Sequence, residues 1–260
     1  MVRDGERADV AVAEKKGRMR LFIGLPTYGG LRFNTMALLS AVKKQKFFTD
    51  IHAMEVDGSL LAASFNRCLI HALKLRDEKQ ADFFLLMHAD IVPVENETWL
   101  DDLMEARKFA RLQYKDNEPY KAQVLSVVSP IKDLRGVTST GYEGPTIWAP
   151  KRFTMKQILE GPETFTRDDL LINTGMLLID LRNNDWIDKI RFTISDAILV
   201  NSEGTRMPGV QPEDWQFSRD VRALGVKLWA TRKVKIVHRG LFNYPNFAVW
   251  GKEEDPGDQH

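Results

Sequence analysis

FFLLMHADIVP, residues 83–93, is the stretch of this sequence that decides its fold class. Five consecutive apolar residues lead directly into His88-Ala89-Asp90, after which the apolar pattern resumes. An apolar run without alternating polar positions is typical of a strand that is buried on both faces, as in a parallel sheet. We therefore predict a central buried strand that ends at His88-Ala89-Asp90.

Strands and amphipathic helices alternate around this stretch. Further strands are predicted at RLFIGLP (20–26), DIHAMEVDG (50–58) and AQVLSVVSP (122–130), and helices at 33–45, at 60–75 with Ser59 as its cap, and through Trp99, Leu103, Ala106 and Ala110. This rhythm predicts an α/β fold with a mostly parallel, twisted sheet flanked by helices.

The second half of the chain is less regular. Residues 131–168 show no clear period, and we predict loops and irregular β structure there. Order returns at 169–182, where Asn173-Thr174-Gly175 divides two apolar stretches, followed by a helix from Glu213 to its C-cap Gly225 and by short strands at 226–230 and 234–238.

Composition and charge describe an ordinary globular protein. Hydrophobic residues make up 43% of the 260 residues and charged residues 28%, with a net charge of +1. No nucleic-acid partner is expected from this charge. Cys68 is the only cysteine, which excludes an intramolecular disulfide and a cysteine-based zinc cage. No apolar run is long enough to span a membrane, so we expect a cytoplasmic protein.

The domain boundaries follow from the polar ends of the chain. Residues 1–18 and 252–260 are charged and lack apolar patterning, so we predict flexible tails there. Residues 19–251 are predicted to form a single domain.

The predicted strands end in polar residues that would share one crevice. The first strand leads into Pro26-Thr27-Tyr28, the second into Asp57-Gly58-Ser59 and the third into His88-Ala89-Asp90. Ligands of open α/β sheets bind beyond the carboxyl ends of the strands. The phosphate-binding patterns GxxxxGK[ST] and GxGxxG and the nucleophile elbow GxSxG are absent, which argues against three common enzyme classes.

His88 and Asp90 have two interpretations. On a strand, residues two apart point to the same side, so the imidazole and the carboxylate could share a divalent cation with a substrate diphosphate. Alternatively, Asp90 is an ordinary turn or cap residue at a strand end.

Six segments occur in an order that resembles one enzyme family. They are LFIGLPTYGG (21–30), GSLLAASFNRCLIHAL (58–73), ADFFLLMHADIVP (81–93), INTGMLLIDL (172–181), PEDWQFSRDVRALGVKLWA (212–230) and IVHRG (236–240). Together they resemble the nucleotide-sugar glycosyltransferases of the GT-A fold, particularly the compact bacterial and phage-type members. The resemblance implies a Rossmann-like domain of the hexosyltransferase type, which moves a sugar from a nucleotide-diphosphate donor to the hydroxyl of a glycan or another acceptor.

The resemblance also implies a metal site. In this family a DxD motif ends a central strand and holds Mn²⁺ or Mg²⁺ on the donor diphosphate, and His88-Ala89-Asp90 occupies that position here. Asp90 then keeps the role of direct ligand, while His88 would meet the ribose, a metal-bound water or the metal itself. His238 corresponds to a late histidine ligand, although a structural role at a strand end is the alternative. Because imidazole suits Mn²⁺ better than Mg²⁺, manganese is the expected ion.

Glu213 and Asp214 match the acidic start of a helix that the family uses in catalysis. The implied role of Asp214 is to deprotonate the acceptor hydroxyl in an inverting displacement, with Glu213 beside it. Carboxylates also favour the first turn of any helix, so capping is the competing interpretation. Whether the enzyme inverts or retains configuration stays open.

The donor, a UDP- or GDP-sugar, would contact three further segments by resemblance. Pro26, Thr27 and Tyr28 correspond to positions that cradle the base and ribose, and Asn66 to a nucleotide contact. Asn173 and Gly175 correspond to positions that border the donor sugar, although Asn and Gly also suit a turn.

One aromatic segment has two interpretations, and two other functions compete with a transferase. The aromatic segment 240–251 is either a flap over the donor site or packing for the C-terminus. A non-catalytic GT-A-like module that binds a nucleotide or glycan would explain the altered DxD motif. A nucleotidyltransferase is disfavoured, because GLPTYGG (24–30) lacks a basic residue.

Overall fold

The structure, a computed structural model, describes residues 19–28, 33–94, 97–114, 122–182 and 185–252. The helices are α1 (Thr35–Lys44), α2 (Leu61–Asp77), α3 (Trp99–Leu112), α4 (Met155–Glu160) and α5 (Glu213–Ala223), with a short 3₁₀ turn at Ile187–Lys189. The strands are β1 (Met19–Thr27), β2 (Phe48–Asp57), β3 (Phe83–Met87), β4 (Ile91–Pro93), β5 (Val124–Val127), β6 (Val137–Tyr142), β7 (Lys151–Thr154), β8 (Thr164–Phe165), β9 (Leu170–Leu171), β10 (Met176–Asp180), β11 (Ser195–Val200), β12 (Arg206–Gln211), β13 (Leu228–Thr231), β14 (Ile236–Arg239) and β15 (Asn243–Pro245).

A seven-stranded sheet in the order β2-β1-β3-β10-β5-β13-β8 forms the centre of the domain. β1 pairs in parallel with β2 and β3, and β5 pairs in parallel with β13. β10 runs antiparallel between β3 and β5, and β8 runs antiparallel at the edge. The prediction of an α/β domain is confirmed. The sheet is more mixed than predicted, because β10 enters it in the reverse direction.

The sheet is covered by helices on both faces, as the apolar run in β3 predicted. Phe84 and Leu86 belong to one core cluster, together with α2 and α5. Phe83, Leu85 and Met87 belong to the other, together with α1 and α3. All five residues of β3 are fully buried, which makes this strand the shared centre of both cores.

Gly24 sets the distance between α2 and the sheet. A Cβ atom at this position would lie 2.7 Å from Cys68 Cβ and 2.9 Å from its Sγ. Real Cβ atoms do not tolerate such contacts, so only glycine lets α2 lie this close to β1. The same contact explains why Cys68 is buried and why burial raises the pKa of its thiol to about 12.

Three small sheets surround the main one. β14 pairs with both β4 and β15, β6 pairs with β7 and β9, and β11 pairs with β12 as an antiparallel ribbon. Irregular β structure was expected over 131–168 and is confirmed. The same region also contains the short helix α4, whose first turn has a capping box between Thr154 and Gln157.

Two predicted helix ends have different outcomes. The C-cap of α5 is Leu224 and not Gly225 as predicted, although Gly225 comes directly after it with a φ of 81° and so ends the helix. Ser59 is not the cap of α2: the N-cap residue is Leu60, and no side-chain hydrogen bond caps this helix. The predicted tail 1–18 lies outside the described residues, and so does the predicted tail 252–260 except for Lys252, which donates its backbone N–H to the Leu134 carbonyl.

Candidate functional site

His88, Ala89 and Asp90 leave the central strand rather than continue it. β3 ends at Met87, and Ala89 and Asp90 form a turn before β4. The backbone N–H of His88 donates to the Gly175 carbonyl at 2.9 Å, and the N–H of Ile91 donates to the His88 carbonyl at 3.1 Å. The prediction that His88 and Asp90 lie two apart on one strand is therefore wrong, because the chain turns between them.

Asp90 is held by two nitrogen-containing side chains. Its Oδ2 lies 2.6 Å from Lys132 Nζ and 3.3 Å from His238 Nε2. Burial acts to raise the pKa of Asp90, but the hydrogen bonds and charges of His238 and Lys132 outweigh burial and hold it well below its usual range. Asp90 is thus a carboxylate at any physiological pH.

His238 reaches Asp90 because its strand pairs with the strand that follows the turn. His238 lies opposite Ile91 in the pairing of β14 with β4, and the N–H of Arg239 donates to the Asp90 carbonyl at 2.8 Å. On the other side of the ring, Nδ1 lies 2.7 Å from the Pro130 carbonyl oxygen. A carbonyl can only accept, so Nδ1 carries a proton.

The Asp90–His238 pair has the chemistry of part of a metal site. With Nδ1 held by the Pro130 carbonyl, Nε2 is the ring nitrogen that faces Asp90, and it would bind a cation after giving up the proton that it donates to the carboxylate. A carbonyl on the far nitrogen is the usual support of a metal-bound histidine. Within the described ranges, no group of three or more His, Cys, Asp or Glu side chains is arranged around a common metal position. A cation here would have two protein ligands and would need its remaining ligands from substrate and water.

His88 lies apart from this pair. Its ring packs on Phe65 with the centroids 4.9 Å apart, and its Nε2 lies 3.4 Å from Thr174 Oγ1. Burial lowers the pKa of His88 to about 4, although the charge of Asp90 acts in the opposite direction. The ring is therefore neutral near pH 7, and its polar contact is with the segment that precedes β10.

Asn173 and Gly175 shape the turn before β10. Asn173 donates through Nδ2 to the Val127 carbonyl and to Thr140 Oγ1, and its Oδ1 accepts the Gly175 N–H at 3.0 Å. A Cβ atom on Gly175 would meet Ser129 Oγ at 3.2 Å. Asn173 is fully engaged within the protein, whereas Gly175 presents bare backbone beside His88.

Ser129, two residues after β5 and beside Gly175, is a further polar residue of the candidate site. Its side chain is buried, and Oγ has no hydrogen-bond partner in the described part of the chain. Serine is common in every kind of loop, so the sequence carries no signal for it.

The residues predicted to meet the nucleotide have different surroundings. Pro26 and Thr27 are buried at the end of β1, where Thr27 Oγ1 lies 3.3 Å from Glu55 Oε1 and 3.5 Å from Asp57 Oδ1. Tyr28 is 76% exposed and free to stack on a ligand.

Asn66 has its amide engaged on both sides. Its Nδ2 donates to the Phe192 carbonyl at 2.8 Å, and its Oδ1 accepts the Phe192 N–H at 2.9 Å. The side chain therefore anchors the segment around Phe192 to α2, and a nucleotide contact would have to replace these bonds.

Glu213 and Asp214 form the first turn of α5, which begins without a side-chain cap. Asp214 Oδ1 accepts the Trp215 N–H at 2.8 Å. Burial and the neighbouring charge of Glu213 raise the pKa of Asp214 to about 8, against a smaller opposing effect of Arg152. Burial also raises the pKa of Glu213. Both carboxyl groups are thus more basic than ordinary carboxylates, a property that simple capping does not require.

A series of direct contacts connects Asp214 with the Asp90 pair. Pro130, which binds the His238 ring, forms a β-bridge with Thr138. The next residue, Ser139, donates its N–H to the Ser129 carbonyl at 2.8 Å and accepts the Trp215 indole N–H at 3.0 Å. The segment after β5 therefore contacts His238 directly and is linked through Ser139 of β6 to Trp215, the neighbour of Asp214.

The aromatic segment 240–251 packs only in part. Tyr244 is buried in β15, and Trp250 lies against it with the ring centroids 5.0 Å apart while donating to the Pro245 carbonyl. Leu241 and Phe242 are exposed, by 97% and 65%. Packing thus describes Tyr244 and Trp250, whereas Leu241, Phe242, Phe247 and Val249 face solvent.

Comparisons with known proteins bear on the fold. No protein-family profile and no curated protein sequence matches this chain. Among solved structures, A197 from STIV is similar, with a TM-score of 0.51 and 16% sequence identity over 91% of this chain and 96% of that one. At this identity the likeness concerns the fold alone. Among the described residues, no helix combines the length and apolarity needed to cross a bilayer.

Proposed function

We propose that this protein is a glycosyltransferase of the GT-A type, which moves a sugar from a UDP- or GDP-sugar to an acceptor hydroxyl with a divalent cation on the diphosphate. The observation that carries the proposal is the pair of Asp90 and His238, whose side chains meet beyond the carboxyl end of β3. That edge of an α/β sheet is where ligands bind.

Asp90 and His238 would hold the cation. Bound there, Mn²⁺ or Mg²⁺ would neutralise the charge that develops on the departing nucleoside diphosphate. The proton on Nδ1 of His238, fixed by the Pro130 carbonyl, leaves Nε2 as the ligand atom. An oxygen–nitrogen ligand pair suits Mn²⁺ better than Mg²⁺, which prefers oxygen alone.

Asp214 would serve as the general base. A proton acceptor works best when its pKa lies near the working pH, and burial brings the pKa of Asp214 to about 8. At pH 7 about a tenth of such groups are ionised, so activity would depend on the loss of this proton. Glu213 contributes by its charge, which disfavours the ionised form of Asp214 and so makes it more basic.

The donor would lie between the end of β1 and the turn before β10. Tyr28 is available to stack on the base, and Pro26 and Thr27 would form the floor beneath it. Gly175 would let the turn pack tightly beside the sugar, with His88 near the ribose and Asn173 fixing the turn. Asn66 would support this region through Phe192.

The test is turnover of a nucleotide sugar. Purified protein with Mn²⁺ and a panel of UDP- and GDP-sugars is expected to release nucleoside diphosphate, slowly with water and faster with an acceptor. Asp90→Asn is expected to abolish release, and Asp196→Asn, an exposed carboxylate on β11, serves as the matched control. Binding of a nucleotide without turnover, unaffected by a chelator, would support the non-catalytic module instead.

A further inference from the structure

The ammonium group of Lys132 lies beside Asp90, the proposed cation ligand. Its Nζ lies 2.6 Å from Asp90 Oδ2, the same oxygen that faces His238 Nε2 at 3.3 Å. The ammonium therefore lies beside the position that a cation shared by Asp90 and His238 would take. No family pattern in the sequence pointed to this lysine, which follows β5 in the irregular region.

The ammonium end of the Lys132 side chain can move while the part near its backbone stays in place. Lys132 is 40% exposed, and its stem packs against Gly240, where an added Cβ would meet Lys132 Cδ at 3.1 Å and Cβ at 3.4 Å. Only the end of the chain has to swing for the ammonium to leave Asp90. A partly exposed ion pair of this kind is weak enough to exchange partners.

The net charge around Asp90 decides when a divalent cation can replace Lys132 there. A divalent cation on Asp90 would lie close to the ammonium, and like charges a few ångströms apart repel each other. Before a donor arrives, Asp90 and Lys132 already neutralise each other, so a cation gains little. A diphosphate adds negative charge that attracts both the cation and the displaced ammonium.

We propose that Lys132 competes with the divalent cation for Asp90 and thereby makes cation binding depend on the donor diphosphate. The proposal rests on the glycosyltransferase function proposed above, and specifies how its metal site is regulated. Because coupling between two ligands is reciprocal, the cation in turn favours the donor.

The test measures binding of Mn²⁺ alone to the full chain, by the loss of the free-ion electron paramagnetic resonance signal. Lys132→Gln removes the competing charge and is expected to bind Mn²⁺ about fivefold tighter than the wild type, the scale of an exposed ion pair. Lys132→Arg keeps the charge and should show no such gain. Lys227→Gln, which breaks the exposed ion pair with Asp168, is the matched control and should leave Mn²⁺ binding unchanged.

The outcomes separate this proposal from the proposed function. Asp90→Asn should lose Mn²⁺ binding in both the wild-type and the Lys132→Gln backgrounds. Equal or weaker Mn²⁺ binding by Lys132→Gln, in a variant whose circular dichroism melt matches the wild type, overturns the competition. If nucleotide sugars neither bind nor turn over, the proposed function fails whatever the Mn²⁺ titrations show.

Discussion

His238 and Asp90 meet side chain to side chain, with Nε2 3.3 Å from Oδ2, because β14 pairs with the strand that follows the Asp90 turn. The pairing is supported by a backbone bond from Arg239 to the Asp90 carbonyl. The relationship therefore belongs to the sheet itself and does not depend on a flexible loop. It is the structural basis of the cation site that we propose.

Replacing His238 tests whether its ring is a ligand. His238→Ala is expected to weaken Mn²⁺-dependent nucleotide-sugar binding by about tenfold or more, since one of two protein ligands is lost. Isothermal titration with and without Mn²⁺ measures this effect. The control is His52→Ala, at an exposed position on β2. An equal loss in the absence of Mn²⁺ would show that His238 acts on the structure and not on the cation.

The raised pKa of Asp214 predicts how turnover responds to pH. Because the base must be ionised, the rate should rise with pH through about 8 and level off above it. Asp214→Asn should lower turnover by about a hundredfold or more and remove the dependence on pH. A full pH–rate profile with a saturating donor measures both effects. A wild-type profile that is flat between pH 6 and 9 would contradict the role of Asp214.

Asp214 also makes stability depend on pH: stability is expected to fall as pH rises, whereas turnover is expected to increase. A folded-state pKa of about 8, above the usual value of 3.8, means that the folded protein keeps a proton that the unfolded chain has lost. The contribution of Asp214 to stability is therefore fully present below about pH 4 and is lost as pH rises toward 8. Urea denaturation at pH 5 and pH 8 should show a larger decline for the wild type than for Asp214→Asn. An identical decline would mean that the pKa of Asp214 is not raised.

Replacing Asn66 distinguishes a structural role of this residue from a direct role in nucleotide binding. Asn66→Ala removes two hydrogen bonds to the Phe192 backbone and is expected to lower the free energy of unfolding by about 1–3 kcal/mol. Urea denaturation measures this loss. Nucleotide-sugar affinity, measured well below the unfolding transition, should change little. A large loss of affinity with unchanged stability would instead support the direct nucleotide contact that the resemblance implied.

Gly175 tests the close packing behind the proposed sugar position. Gly175→Ala would bring a methyl group within 3.1–3.3 Å of Asn173 Oδ1, Ser129 Oγ and Ile91 Cδ1. We expect a destabilisation of about 1–3 kcal/mol together with weaker donor binding, because the Gly175 carbonyl also holds the His88 N–H. Gly204→Ala, where a Cβ would meet nothing within 4 Å, shows the effect of positive-φ strain alone. Unchanged stability and donor binding in Gly175→Ala would contradict a packing role for Gly175.

Much of the fold could be predicted from the sequence, because apolar runs and helical spacing report burial directly. The strand at 83–87, the helix from Glu213 and the glycine at 225 all follow from such patterns. The direction of β10 could not, since an apolar run is the same in a parallel and an antiparallel strand. The 195–211 ribbon was missed because its outward residues Ile198, Val200 and Val210 are exposed, which hides the alternation.

The candidate site could be predicted only in part, because some of its residues are brought together by contacts between distant parts of the chain. Asp90 and His238 stand at strand ends, where local pattern and topology together indicate a ligand site. Lys132 and Ser129 are common residue types in or beside an irregular stretch, and their importance comes only from what they touch. The pair of hydrogen bonds between Asn66 and the Phe192 backbone joins distant parts of the chain and has no local signature in the sequence.

The most direct test of the central claim is calorimetric titration of the chain with UDP- and GDP-sugars in the presence of Mn²⁺, with the wild type and Asp90→Asn measured side by side. We predict that one donor binds the wild type, that a chelator weakens this binding, and that Asp90→Asn loses it while its melting curve stays cooperative. Equal donor binding by the wild type and Asp90→Asn, or no binding of any nucleotide sugar by folded wild-type protein, would contradict the account.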